Sequence, residues 1–249
     1  MKALRMEEMT APAVNDAIAR GFTTAVVGVG STEQHGPHLP TMTDTRIAED
    51  VVSRVAAKLG DALQARTIPV GISDHHVSFG GTISLRPDTL RMVVLDYARS
   101  LVACGFTRIV FLPTHGGNFG TVEKAIGEAR LEHPGVKIVG YTDLMAFSNF
   151  SDSLSVEFGV TAGEAGAHAG ENETSMMLAL ESGLVVKDRF EAGYVGPLTE
   201  NEVRVIFEKG MPALTKNGVL GDPEKASAKK GEIYLERLAD FLVQEIEKQ

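Results

Sequence analysis

Glu33-Gln34-His35-Gly36-Pro37-His38-Leu39-Pro40, followed by Asp44, gathers carboxylates, imidazoles and an amide directly after an apolar run. Gly36, Pro37 and Pro40 shape the backbone, so these polar groups are presented from a held segment rather than a loose one. Glu33 and His35 lie two apart, and on extended backbone both side chains project to the same side. Oxygen and imidazole donors at close quarters suit a hard or borderline divalent ion such as Zn, Mn or Fe. Taken alone, Asp44 reads as a helix N-cap and His35 as a satisfied polar residue. Together they point to a metal site.

Three further clusters could join it. Thr114-His115-Gly116-Gly117-Asn118 follows an apolar strand, and in open α/β sheets ligands gather beyond the carboxyl ends of strands. His115 is therefore a candidate ligand, with Gly116, Gly117 and Asn118 as candidate substrate contacts. A glycine nest for phosphate is the competing reading, although no P-loop Lys or Ser/Thr accompanies it. Ala167-His168-Ala169-Gly170-Glu171-Asn172-Glu173 enters a helix, where acidic residues favour the dipole. That accounts for Glu171. Glu173 reads instead as a metal ligand and catalytic carboxylate, and His168 as a proton carrier. In Ser73-Asp74-His75-His76, adjacent histidines cannot both face one site on extended backbone, and His76 is the favoured substrate contact.

The elements that must position these residues read as an α/β protein. Apolar runs over 24–29, 67–70, 109–112 and 136–139 are predicted strands, the second weakened by Pro69. Their continuous apolarity suggests parallel strands covered on both faces. Helices are expected from Asp44 to Leu59, from Pro87 to Gly105, around Val122, Ile126 and Ala129, from Glu173 to Leu184, and from Asp222 onward. Residues 142–170 and 191–221 fit no element and are expected as long loops over a site or a neighbouring subunit. The fold class is a three-layer α/β/α sandwich with a mostly parallel central sheet, as one domain over 1–249.

Composition narrows the function. A formal charge of −9 over 249 residues disfavours nucleic acid as a partner. No run approaches the ~18 apolar residues of a membrane span, and residues 1–20 lack a signal-peptide core. Cys104 is alone, so a thiolate metal site and an intrachain disulfide are excluded, and a reduced, cytoplasmic setting is expected.

The run from Gly30 to Pro40 with Asp44 resembles the signature of the creatininase (creatinine amidohydrolase) family. His115-Gly116-Gly117-Asn118, His168-Ala169-Gly170 with Glu173-Thr174-Ser175, and Gly221-Asp222-Pro223 occur in that family's order, so the resemblance spans roughly residues 24–231. It implies a three-layer α/β/α fold, assembly into a homo-oligomer such as a hexamer, and two divalent metals per subunit. Zn is the first choice, with Mn or Fe as alternatives. By matching position, Glu33 and His115 would hold one metal, His35 the other, and Asp44 would bridge them; His168 matches the histidine at the reacting group. Creatinine-hydrolysing members carry a glutamate ligand where this chain has Gly117, and Glu173 could supply the missing ligand. They also rely on tryptophan, and this chain has none. Gly80 stands where many relatives have proline.

The expected function is hydrolysis of a C–N bond in a small-molecule amide, cyclic amide or formamide by metal-activated water, with His168 protonating the leaving nitrogen. The alternatives are hydrolysis of a lactone or cyclic ketone on a sugar-like ring, peptidase-like trimming of a cofactor precursor, and a non-catalytic oligomer braced by metal.

Overall fold

The computed structural model describes residues 3–249. Its strands are β1 (Leu4–Arg5), β2 (Thr24–Val29), β3 (Ala62–Gln64), β4 (Arg108–Pro113) and β5 (Lys137–Gly140). They form one five-stranded sheet in the order β1-β3-β2-β4-β5, with every pairing parallel. The helices are α1 (Ala11–Ala19), α2 (Thr43–Leu59), α3 (Pro87–Ala103), α4 (Phe119–Glu132), α5 (Leu144–Val156), α6 (Ala162–Ala165), α7 (Glu171–Glu181), α8 (Glu200–Lys209) and α9 (Ala228–Glu247).

Side-chain alternation along the strands builds the layers. Ala25, Val27 and Val29 of β2, with Ile109 and Phe111 of β4, pack against Ala17 of α1, Leu90 and Val94 of α3 and Val122 of α4. Val26, Val110 and Leu112 face the other way, onto Val51 and Val55 of α2, Met177 of α7 and Leu235 and Leu238 of α9. Each fully buried aliphatic side chain contributes roughly 1.5–3 kcal/mol, so neither face of the sheet can be left bare. The result is the expected α/β/α sandwich.

From β2 the chain winds to β3 on one side, then crosses back to place β4 on the other. That reversal opens a crevice beyond the carboxyl ends of β2 and β4, the place where open α/β sheets bind ligands. The segment carrying Glu33 and His35 leaves β2 there, and His115 leaves β4 beside it.

Several expectations need correction. Residues 67–70 are not a strand: Ile68 makes one isolated bridge to Val29, and the third strand is Ala62–Gln64. Pro69 has no N–H to extend a ladder, and its carbonyl instead accepts from the hydroxyls of Thr32 and Thr45. Asp222 caps only a 3-10 turn, Pro223–Lys225; α9 starts after Ser227, whose hydroxyl accepts from Lys230 N. The two presumed loops contain α5, α6 and α8. Asp143 caps α5, while Thr161 with Glu164 and Thr199 with Glu202 form capping boxes that open α6 and α8. Those S/T-x-x-E patterns were readable start signals.

Candidate metal centre and active site

Glu33 and His35 flank Gln34 on a segment pinned by Glu33 N donating to Thr41 O at 2.9 Å. Gly36 turns it with φ 64°, a left-handed conformation natural to glycine. Asp44 follows in the first turn of α2, and its carbonyl accepts from Thr114 Oγ1 at 3.0 Å, which ties this helix to the end of β4. Glu33, His35, Asp44, His76, His115 and His168 are all buried, and Glu173 is partly so.

Two donor sets converge on Asp44. His115 Nδ1 stands 3.3 Å from Glu33 Oε1 and 3.3 Å from Asp44 Oδ2. His115 Nε2 donates to Ile72 O at 2.8 Å, so Nδ1 is the lone-pair nitrogen. Glu33 Oε1 and Asp44 Oδ2 are both buried without a hydrogen-bond partner. Two orphaned carboxylate oxygens and an imidazole lone pair cannot stand this close without a positive charge between them.

On the other side His35 Nε2 lies 3.2 Å from Asp44 Oδ1 and 3.7 Å from Glu173 Oε2, while His35 Nδ1 donates to Glu33 O at 3.1 Å. Tetrahedral ligation at about 2.0–2.1 Å separates donors by roughly 3.4 Å, close to these imidazole–carboxylate separations, and Glu33/His35/Asp44 and His35/His168/Glu173 are each compact enough to hold an ion. The residues present therefore fit divalent metal, with each carboxylate oxygen of Asp44 meeting a different imidazole. Backbone and carboxylate partners on the second ring nitrogen are the usual way such ligands are oriented.

Without metal, protons take that place. Burial works against charge on His35, but Asp44, then Glu173 and Glu33, outweigh it and push its pKa up to about 10. His115 is raised likewise, burial being overcome by Glu33 and Asp44. Burial pushes Asp44 up, and His35 with His115 reverses this to hold it well below the carboxylate range. Glu173 is pushed up to about 7 by burial, only partly offset by His35.

His168 and His76 behave oppositely. Burial, then the charge of His35, keeps His168 well below the usual imidazole range; burial, then His75 and His115, does so for His76. His168 Nε2 donates to Gln34 O at 2.7 Å, leaving Nδ1 as a base 3.5 Å from Glu33 Oε1. His76 Nδ1 faces the Gln34 amide nitrogen at 2.8 Å and must accept, so His76 Nε2 carries the proton and points at Glu33 Oε1, 3.4 Å away. Glu33, His76 and His168 also lie close enough to hold an ion, but a protonated Nε2 makes His76 a donor rather than a ligand.

Glu173 reaches the site through an unusual backbone. Ala169 adopts φ 53°, costly for a residue with a Cβ, and its N–H meets Glu173 Oε2 at 2.6 Å.

A cavity of about 200 Å³ opens over this cluster, bordered by His76, His168, Gly116 and apolar residues of α5 and α8. Both His75 and His76 border it, because residues 74–76 form a 3-10 turn rather than extended backbone. The expectation that only one could face the site fails for that reason.

Asn118 is corrected too. Its Nδ2 donates to Val29 O and Gly30 O and its Oδ1 accepts from Ile72 N, so it straps three segments together and does not face the cavity. Gly117 is likewise absent from the cavity wall; a Cβ there would land on Ile72 O and press on His115 Nε2. His38 turns away to Thr174 Oγ1 at 2.9 Å.

Gln34 and Glu171 were undervalued. Glu171 does sit in the first turn of α7, but it is also a fully buried hub. It accepts from Ser155 and Ser175 at 2.7 Å each and from Tyr234, and pairs with Lys230 at 2.9 Å. The four-residue spacings Glu171/Ser175 and Lys230/Tyr234 were the available signal.

Comparison with known proteins agrees with this geometry. The family model described as creatinine amidohydrolase matches residues 7–246. The mycofactocin precursor peptide peptidase of Mycobacterium ulcerans is 36% identical over 90% of this chain and 85% of its own length. The creatinine amidohydrolase of Pseudomonas putida is 29% identical over 94% of this chain and 93% of its own. A solved point mutant of creatininase, of Zn–Zn type, superposes with a TM-score of 0.83 at 27% identity, covering 100% of this chain and 98% of that one. A likeness that runs the length of both partners, in sequence and in fold, makes this chain a member of the creatininase family of hydrolases.

Proposed function

We propose that the chain is a two-metal hydrolase of amide C–N bonds whose favoured substrate is a peptide. The observation that carries the reading is the split use of Asp44: Oδ2 meets His115, which also meets Glu33, and Oδ1 meets His35, which also approaches Glu173. Glu33, His115 and Asp44 would hold one ion, and His35, Glu173 and Asp44 the other. Zn is the first choice, with Mn or Fe as alternatives, since N/O donor sets accept several ions. When bound, such ions supply Lewis acidity toward a carbonyl and toward water.

The chain's own residues supply the proton path. Water attacks the carbonyl carbon and gives a proton to His168 Nδ1, which Gln34 O holds in the basic tautomer through Nε2. As the C–N bond breaks, His168 returns that proton to the leaving nitrogen, a role worth typically ~10²–10⁴-fold. His76 Nε2–H faces Glu33 Oε1 at 3.4 Å.

The sequence favoured a non-peptide amide. Likeness to a peptidase over most of the chain, the apolar cavity walls and the lack of tryptophan move the preference to a peptide bond. Creatinine is the second reading, supported by the Pseudomonas relative. One domain over the chain, a homo-oligomer and a cytoplasmic setting remain part of the proposal, supported by the span of the family match and the lone Cys104. Among the described residues no helix is long and apolar enough to cross a membrane.

The test is metal analysis of the purified protein with turnover of short peptides, formamides and creatinine before and after chelation. Peptide cleavage that disappears with the metal and returns on its replacement is expected. Undiminished cleavage by metal-free protein would overturn the reading.

A further inference from the structure

The cavity over the metal centre has one acidic side chain that the chemistry above does not use. Along α5 the wall begins apolar with Leu144, Met145 and Phe147, then turns polar at Ser148, Ser151 and Asp152. Asp152 is half-buried there. Among the described residues its carboxylate has no ion pair and no hydrogen-bond donor, and burial alone pushes its pKa up to about 6. No lysine or arginine borders the cavity, so nothing within the described chain answers this charge.

Nor is Asp152 on a loose segment. Asn172 Nδ2 donates to Ser151 O and to Ser155 Oγ at 3.1 Å each, and Ser155 Oγ donates to the buried Glu171. These bonds clamp the residues on either side of Asp152 to α7, which also carries Glu173. The backbone that carries Asp152 is thus anchored to the helix that bears Glu173. Val203, Ile206 and Phe207 of α8 also line the cavity and offer apolar contact.

An unpaired carboxylate on an anchored helix, in a cavity that also presents apolar side chains, suits a cation with an apolar stem. We propose that Asp152 is a specificity-determining residue that binds a substrate ammonium or guanidinium group while the scissile amide lies at the metal centre. This rests on the amide-hydrolase reading and narrows its substrate class to amides bearing a positively charged nitrogen. Charge-assisted hydrogen bonds to a partly desolvated carboxylate are among the stronger polar contacts, so discrimination should be large enough to measure.

The experiment uses metal-loaded full-length protein and a matched, unreactive probe pair, phenethylamine and phenethyl alcohol, titrated by NMR or calorimetry. The parent protein is expected to bind the amine roughly tenfold more tightly or better, and Asp152→Asn to bind the two within about twofold. Equal affinities in the parent, or an amine preference that survives Asp152→Asn, overturns the proposal. Asp152→Lys should reverse the order. Peptide cleavage measured on the same preparation reports separately on the amide-hydrolase reading, so the two can fail independently.

Discussion

The side-chain amide of Gln34 donates to Nδ1 of His76 at 2.8 Å and thereby decides which nitrogen of that ring carries the proton. The amide cannot be turned over, because its Oε1 accepts from Gly36 N at 2.9 Å and its Nε2 also donates to Gly218 O at 3.2 Å. The carbonyl of the same residue anchors His168 Nε2 at 2.7 Å. The 3.0 Å approach of the Gln34 amide nitrogen to His168 Nε2 is therefore donor beside donor, not a bond. One residue between two candidate ligands sets one neighbouring ring as a donor and the other as a base.

Replacing Gln34 by Leu should lower kcat by roughly 10–100-fold while leaving the bound metal nearly complete, as is typical when an orienting partner is lost. His76 Nδ1 and Gly218 O lose their donor, but no candidate ligand is touched. Steady-state kinetics paired with metal analysis decides it; unchanged kcat in the variant would show that the orientation does not matter.

Metal removal should make stability pH-dependent in a stated direction. In the metal-free fold His35 is raised from 6.5 to about 10 by its carboxylate neighbours despite burial, and His115 is raised as well. A raised imidazole pKa contributes stability that is fully present below pH 6.5 and is lost as pH climbs through about 10. Chelated protein should therefore lose melting temperature progressively across that window, whereas loaded protein should not, and metal uptake should release protons. Thermal unfolding of both forms in matched buffers checks this, and a flat profile for the chelated form would refute it.

Gly117 should not accept the glutamate that the family resemblance would expect at this place. Even Ala adds a Cβ that meets the Ile72 carbonyl, the acceptor that orients His115. Gly117→Ala is expected to cost about 1–3 kcal/mol and to weaken metal retention. Denaturant unfolding with metal analysis tests it; a variant as stable and as metal-rich as the parent would mean the backbone yields freely here.

The buried charge at Glu171 should be costly to orphan. Lys230→Met leaves a fully buried carboxylate with only hydroxyl donors, and removing one partner of a buried pair typically costs about 3–5 kcal/mol. Glu171→Gln combined with Lys230→Met should recover part of that loss, because the uncompensated charge is gone. Urea unfolding of the single and double variants reads the difference.

Much of this was legible in short-range patterns. Glu33, His35 and Asp44 meet because few residues, bent by Gly36 and two prolines, separate them. The continuous apolar runs at 24–29 and 109–112 predicted parallel strands, since a sheet covered on both faces leaves no polar side to alternate. Helices α2, α3 and α4 followed from their apolar stripes. Residues 142–170 were harder: α5 is rich in serine, and its helical state rests on the Asp143 cap and on burial of Leu154 and Ser155. Asn118 looked like a substrate contact because it follows the carboxyl end of a strand, yet its role as a strap depends on three carbonyl and amide groups distant in the chain.

What the sequence determined by itself is the set of donors, the helix starts and the strand type, because each depends on neighbours a few positions away. What only the tertiary structure decided is that His115 and His35 meet different oxygens of Asp44 with Glu173 beside His35, that Gly117 is sealed by Ile72, and that Gln34 assigns the protons of His76 and His168. Those outcomes depend on strand order and on packing between segments many residues apart. No local spacing carries that information.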